Sequence, residues 1–340
     1  MFNTTNNSVT TNSTKELSGI IDGGSTMRTF FGLVAGLSVV SNALLCIVML
    51  RRRAMLSKTY NILIFNLAIT DMLTGVFLFI TPRYVVSQES FPLLYGASGE
   101  AFCRIVWSTY LLFCFGKASN GTIMCLAIDR WYSIVKPIKY KIAFGRRRLF
   151  GYIVLIWVTS AVTESLGFFI TKLQNGRCMW DAPPYSENGQ RMFLLVHVFV
   201  TFYIPSTVTW ITFAHIWYRL SHVKVNAHHR DVRAKKRLVR MCAMAAFFLT
   251  LCWFPTETFW VLFKFDVLKL PQIWYWLFNL FAMFNSCVSP WVYCLSNKQY
   301  RNEFGNVLCR LKPREIRPAG TAQYPTVSKA RKGLSSNDSG

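Results

Sequence analysis

The chain has 340 residues, of which 52% are hydrophobic, 16% aromatic and only 16% charged. A soluble core could hardly hide that apolar load, so composition argues against ordinary soluble domains and for lipid as the solvent. The formal net charge of +23 brings nucleic acid to mind, but the basic residues are spread over alternate loops rather than gathered on one folded face, which argues against it.

In chain order, residues 1–26 form a polar amino-terminal segment with the sequons beginning at Asn3, Asn6 and Asn12. Residues 1–19 lack an apolar signal-peptide core, so the first span itself is expected to direct insertion. Residues 29–50 contain no ionised side chain, and a helix needs about 20 such residues to cross the hydrocarbon core. Six further apolar stretches follow, at 60–80, 102–134, 149–170, 192–217, 239–263 and 273–295. Asp71, Lys117, Glu164 and Glu257 interrupt them, and charge inside a span marks function by default because hydrocarbon penalises it. Pro205, Pro255 and Pro290 lie within spans, where neighbouring helices can satisfy the carbonyl groups that proline frees.

Basic residues follow the first span (Arg51, Arg52, Arg53, Lys58), the third (Lys136, Lys139, Lys141, Arg146, Arg147, Arg148) and the fifth (Arg219 to Arg240), and recur in the tail. The positive-inside rule therefore predicts a multi-pass plasma-membrane protein with the amino terminus outside and the carboxyl terminus in the cytoplasm. Of ten cysteines, only Cys103 and Cys178 fall on the oxidising side, where a disulfide would tie the loop after the fourth span over the bundle mouth. Tyr300, Phe304, Val307 and Leu308 recur at helical spacing, so residues 297–310 read as an amphipathic membrane-surface helix ending at Cys309, a palmitoylation candidate. Residues 311–340 read as a disordered cytoplasmic tail. Three loop histidines, His222, His228 and His229, have no cysteine or acid at ligand spacing and read as part of a solvated basic segment.

Asn42, the run N-L-A-I-T-D ending at Asp71, Cys103, D-R-W at Asp129 to Trp131 with Pro137 beyond, Trp157, Cys178 and Pro205 occur in order on these spans. C-W-F-P at Cys252 to Pro255 and N-S-C-V-S-P-W-V-Y from Asn285 to Tyr293 complete the series. Over residues 27–310 the chain resembles the rhodopsin-like (class A) G-protein-coupled receptors. The resemblance implies an all-α membrane protein, a seven-transmembrane helix bundle over 27–296 with a short eighth helix, that binds an extracellular ligand and activates heterotrimeric G proteins. Arrestin and receptor kinases would be further partners, membrane lipid would surround it, and no cofactor beyond a sodium ion is implied. A transporter or channel is the alternative, but no internal repeat supports it. The absence of G-x-S-x-G and H-E-x-x-H argues against an enzyme.

The chain departs from the family pattern at Trp131, where Tyr is usual, at Ser289, where Asn or Asp is, and at Phe213, where Tyr is common. Lys235 occupies a place where many members have an acid, which predicts an incompletely closed resting state. The interval from Cys103 to Arg130 is two residues longer than usual, which predicts a bulge, an extra turn or a shifted cap in the third span.

Residue by residue, the resemblance surrounds Asp71 with Asn42, Ser119, Asn285, Ser286 and Ser289, suited either to a hydrated sodium ion or to a protonated carboxyl in a water network. It gives Asp129 and Arg130, with the apolar Ile138, to G-protein coupling, and Pro255, Pro290 and Tyr293 to the helix movements of activation. The ligand pocket is expected to hold Tyr110, Phe113, Lys117, Glu164, His197, Trp253, Glu257, Phe259 and Tyr275. An amine ligand is disfavoured because Tyr110 to Phe113 include no acid, and light sensing because Met283 replaces the retinal lysine. Lys117 is expected to pair with Glu164. Glu257 either anchors a cationic ligand group, with Glu89, Glu100, Asp181 and Glu187 around the mouth, or pairs internally with Lys117 or His197. Short external and third cytoplasmic segments suggest a peptide ligand, with a small non-amine or a lipid as the alternative.

Overall fold

The computed structural model describes residues 24–91, 95–222 and 229–311, together with their side chains except those of Glu89, 229–232 and 308–311. The sequons at Asn3, Asn6 and Asn12, the 311–340 tail beyond its first residue, His228 and the side chains of His229, Leu308 and Cys309 lie outside that description.

Six helices among the described residues are long and apolar enough to cross a bilayer: Gly24–Arg51, Thr59–Ile80, Gly96–Val135, Arg146–Ile170, Glu187–Ser221 and Arg233–Lys264. The seventh, Gln272–Ser296, falls below that hydropathy because it carries Asn279, Asn285, Ser286 and Ser289 along one buried stripe. The first span has 28 residues, or about 42 Å of helix, against a hydrocarbon core of about 30 Å. Large apolar side chains such as Leu33, Val40, Val154, Val162 and Ile211 are exposed on the outer surface, an arrangement stable only where the surrounding solvent is hydrocarbon. The third span is the hub of the bundle, touching the second, fourth, fifth and sixth.

Two of the three prolines show how a helix survives them. Pro205 removes the N–H that would bond the Thr201 carbonyl, and Asn120 of the third span donates to that carbonyl instead, at 2.6 Å. Pro290 frees the Ser286 carbonyl, which accepts from Asn42 of the first span at 2.8 Å. Pro255 also sits inside a continuous helix. Asn66 ties three spans, accepting from the Trp157 indole at 3.0 Å and donating to Thr122 at 2.9 Å.

The anomaly expected in the third span is present. After Gly96–Phe102 the helix widens into a π-turn over Cys103–Trp107, with Ser108 donating back to the Cys103 carbonyl at 2.9 Å. Thr109 then adopts a left-handed backbone (φ 65°) before Tyr110–Val135 resumes as α-helix. A second π-turn, Phe199–Tyr203, precedes Pro205.

Between the fourth and fifth spans, β1 (Thr171–Gln174) and β2 (Arg177–Trp180) pair antiparallel, with Leu173 opposite Cys178. Their two-residue turn is Asn175-Gly176, both at positive φ, the backbone that lets strand twist continue through a tight hairpin. Cys178 is disulfide-bonded to Cys103, and Glu100 accepts from the Leu173 amide at 2.8 Å. The hairpin is thus fastened to the start of the third span at two points. Past the seventh span, Lys298–Leu311 is helical, with Tyr300, Phe304 and Val307 buried and Tyr300 donating to Asn61 at 2.6 Å.

Candidate functional site

Below the hairpin the spans enclose a cavity of about 330 Å³. Phe113, Lys117, Glu164, His197, Glu257 and Tyr275 line it, and so do Arg83, Tyr84, Trp180, Trp260 and Trp276, which the sequence reading did not include. Trp253 lies beneath it, with its ring centroid 6.3 Å from that of Phe113 and 5.4 Å from the Lys117 ammonium. Gly116 makes room for this indole, because a Cβ there would collide with the Trp253 six-membered ring. Two expected members stand apart. Tyr110 lines an adjoining chamber of about 440 Å³, which shares Thr109, Glu164, Leu194, His197 and Trp260 with the first. Phe259 is buried against Phe263 and Phe278 and lines neither chamber.

The expected Lys117–Glu164 pair is not formed. Lys117 is ion-paired with Glu257 across the third and sixth spans, and Glu164 lies 3.4 Å from His197. Helical phase gives the direction in which Lys117 leaves its helix, but its flexible four-carbon stem can serve either acid, and the sixth span claims it. Glu257 is therefore already answered internally and is no spare anchor for a cation. The mouth acids are engaged too: Glu100 with Arg104, Asp181 with Lys172, and Glu187 with Arg191. The Lys172 ammonium beside Asp181 holds that carboxyl below the ordinary aspartate range, helped by the Ala182 amide.

Midway along the bundle, Asp71 is almost wholly buried. Its Oδ1 accepts from Ser119 at 2.9 Å, while Oδ2 has no hydrogen-bond partner among the described residues. Ser119 also shares a hydrogen bond with Thr70 at 2.9 Å, and Ser289 faces the same carboxylate. Asn42, Asn285 and Ser286 are buried as well, but Asn42 spends its amide on the Ser38 and Ser286 carbonyls.

At the end opposite the disulfide, Arg130 is buried and its Nε donates to Asp129 at 2.8 Å. Thr59 and Tyr140 each donate to the other Asp129 oxygen at 2.9 Å. The Tyr60 ring lies 4.4 Å from the guanidinium carbon, a cation–π contact that strengthens away from water. Lys235 is exposed, and among the described residues no ion pair joins the sixth span to Arg130. Trp131 donates to His215 of the fifth span at 2.9 Å, a tie that its departure from the family pattern makes available. Ile138 is 90% exposed. Tyr293 is fully buried, its ring 5.9 Å from that of Tyr300.

The sequence pattern described as 7 transmembrane receptor (rhodopsin family) matches residues 41–293. Among curated relatives, a QRFP-like peptide receptor of Branchiostoma floridae is 25% identical, over 91% of this chain and 85% of its own. Neuropeptide FF receptor 1 of Homo sapiens is 27% identical, over 86% and 71%, and the Histamine H2 receptor of Homo sapiens is 25% identical, over 84% and 79%. A bundle of seven spans, a disulfide-fastened hairpin above a cavity, a tryptophan under it and a buried arginine at the far end fit that match throughout, and the chain is a non-enzymatic, multi-pass member of the rhodopsin family of G-protein-coupled receptors.

Proposed function

We propose that this receptor takes a peptide into the hairpin-covered cavity from outside the cell and signals to heterotrimeric G proteins at the Arg130 end. The cavity's position directly above Trp253 carries the reading. A ligand pressing on Phe113 or on the Lys117–Glu257 pair bears on that indole, which sits two residues before Pro255 in the sixth span. Two of the relatives compared above are named as peptide receptors, which favours a peptide over the amine of the third.

In this reading the arginine-rich loops face the cytoplasm and Asn3, Asn6 and Asn12 are glycosylated outside the cell. Residues 297–310 lie on the inner leaflet, anchored by palmitate on Cys309, and arrestin and receptor kinases engage the 311–340 tail. Asp71, Ser119, Asn285 and Ser289 hold a sodium ion in the resting state, for which the unpaired Asp71 oxygen is the available ligand. Screening intact cells that express the receptor against synthetic peptide pools, with G-protein biosensors as readout, tests the function. Activation by peptides that is lost in Phe113→Ala supports it, and activation only by lipids or amines removes it. Agonist affinity indifferent to sodium, both in the natural receptor and in Asp71→Ala, removes the sodium site.

A further inference from the structure

The charges on the cavity wall differ in what already answers them. Glu257 and Lys117 answer each other, and Glu164 stands 3.4 Å from His197 with its buried Oε1 accepting no hydrogen bond among the described residues. Arg83 has no carboxylate partner among the described residues and donates no side-chain hydrogen bond there. Its guanidinium carbon lies over two indoles, 4.7 Å from the centroid of Trp107 and 4.6 Å from that of Trp180. Cation–π contact uses the charge of a guanidinium and not its N–H hydrogens, and those hydrogens can match a carboxylate with two parallel hydrogen bonds.

The backbone supplies a second, independent observation. Arg83 follows the end of the second span with φ at 82°, inside a turn closed by its own amide donating to Val86 at 2.9 Å. A residue with a long side chain is disfavoured in that conformation, and glycine or asparagine would relieve it. The turn therefore aims a charged side chain into the cavity at the expense of local backbone preference, as strained positions at binding sites do.

We propose that Arg83 is the anion subsite of the cavity and binds a carboxylate of the ligand, whose aromatic or apolar body packs against Trp180, Tyr84, Trp276 and Trp260. This rests on the peptide reading and sharpens it: the group recognised here is an acid, supplied by a free carboxyl terminus or by an acidic side chain. It also inverts the charge preference that Glu257 alone would give the pocket.

The test uses full-length receptor in lipid nanodiscs and synthetic tetrapeptide pools ending in Phe or Trp. Each pool is made as the carboxyl-terminal acid, as the amide, and as the amide with one aspartate added. Retained peptides are quantified by mass spectrometry on the natural receptor, Arg83→Lys, Arg83→Gln and Phe113→Ala. Acids or aspartyl amides should be retained about tenfold over plain amides, the two acid arms telling which carboxylate is read. That preference should shrink severalfold in Arg83→Lys, which keeps the charge but loses the planar fork, and vanish in Arg83→Gln. Plain amides retained as well as acids by the natural receptor overturn the proposal without any variant having to fold. An acid preference unchanged in Arg83→Lys and Arg83→Gln also overturns it. Peptides retained in a Phe113-dependent but acid-indifferent way defeat this inference alone, whereas retention of no pool defeats the peptide reading with it.

Discussion

Replacing one partner of the Lys117–Glu257 pair, and then both, tests whether the cavity floor is fixed by charge. Both side chains are nearly sealed, at 6% and 7% exposure, and the ammonium lies over Trp253. Removing one member strands the other away from water, which costs about 3–5 kcal/mol, whereas replacing both by apolar groups of similar size is close to neutral. At about 2–4 °C per kcal/mol for a domain of this order, Lys117→Met or Glu257→Leu alone should lower the unfolding midpoint by about 6–20 °C. The double variant should recover most of that loss. The assay is thermal unfolding of ligand-free receptor in nanodiscs, followed by tryptophan fluorescence. Single losses that simply add in the double variant would show that the two side chains act separately, and would refute the argument that their mutual neutralisation holds the third and sixth spans together.

Asn120→Leu should lower stability by about 1–3 kcal/mol through the orphaned Thr201 carbonyl. In a Pro205→Ala background, where the helix can supply its own N–H, much of that loss should disappear; equal losses in both backgrounds would show that Asn120 has another role. Gly116→Ala places a methyl where the Trp253 ring sits, so it should displace the indole and raise ligand-free G-protein signalling, and signalling at the parental level would count against Trp253 as the moving part. The Asp181 carboxyl is held below its ordinary range by Lys172, so its contribution is present above the unfolded value and lost as pH falls through the lower folded one. Amide exchange across Thr171–Gln174, compared between Asp181→Asn and the parent, should therefore differ at neutral pH and converge in acid; a difference that persists in acid would remove Asp181 as the titrating group.

The spans were legible because hydrocarbon demands long uncharged helices, and the interval between Cys103 and Arg130 betrayed the third-span irregularity that the π-turn and Thr109 supply. Cys103 and Cys178 were legible because few cysteines lie on their side of the bilayer. The partner of Lys117 was not, since helical phase tells which way a side chain leaves its helix but not which of two acids a flexible stem reaches. Arg83, Trp180 and Trp260 were missed for another reason. Arg83 and Trp180 sit at the ends of elements, where no periodicity marks them, and Arg83 is aimed by a backbone conformation that sequence patterns do not encode. The Trp131–His215 tie was also invisible, because it joins two residues that depart from helical apolarity on separate spans and could be paired only by their depth.

Thr109 and the wide turn before it divide the third span into two mechanically separate pieces. The upper piece answers to Cys103 and the hairpin, and the lower one to Asn120, Asp129 and Arg130. Extra length absorbed at the joint turns Cys103 and the hairpin by a fraction of a turn relative to Tyr110 and Phe113, without rotating the helix that carries those two. What the mouth admits can therefore be retuned by insertion or deletion at one point, while the Arg130 end of the bundle stays in phase.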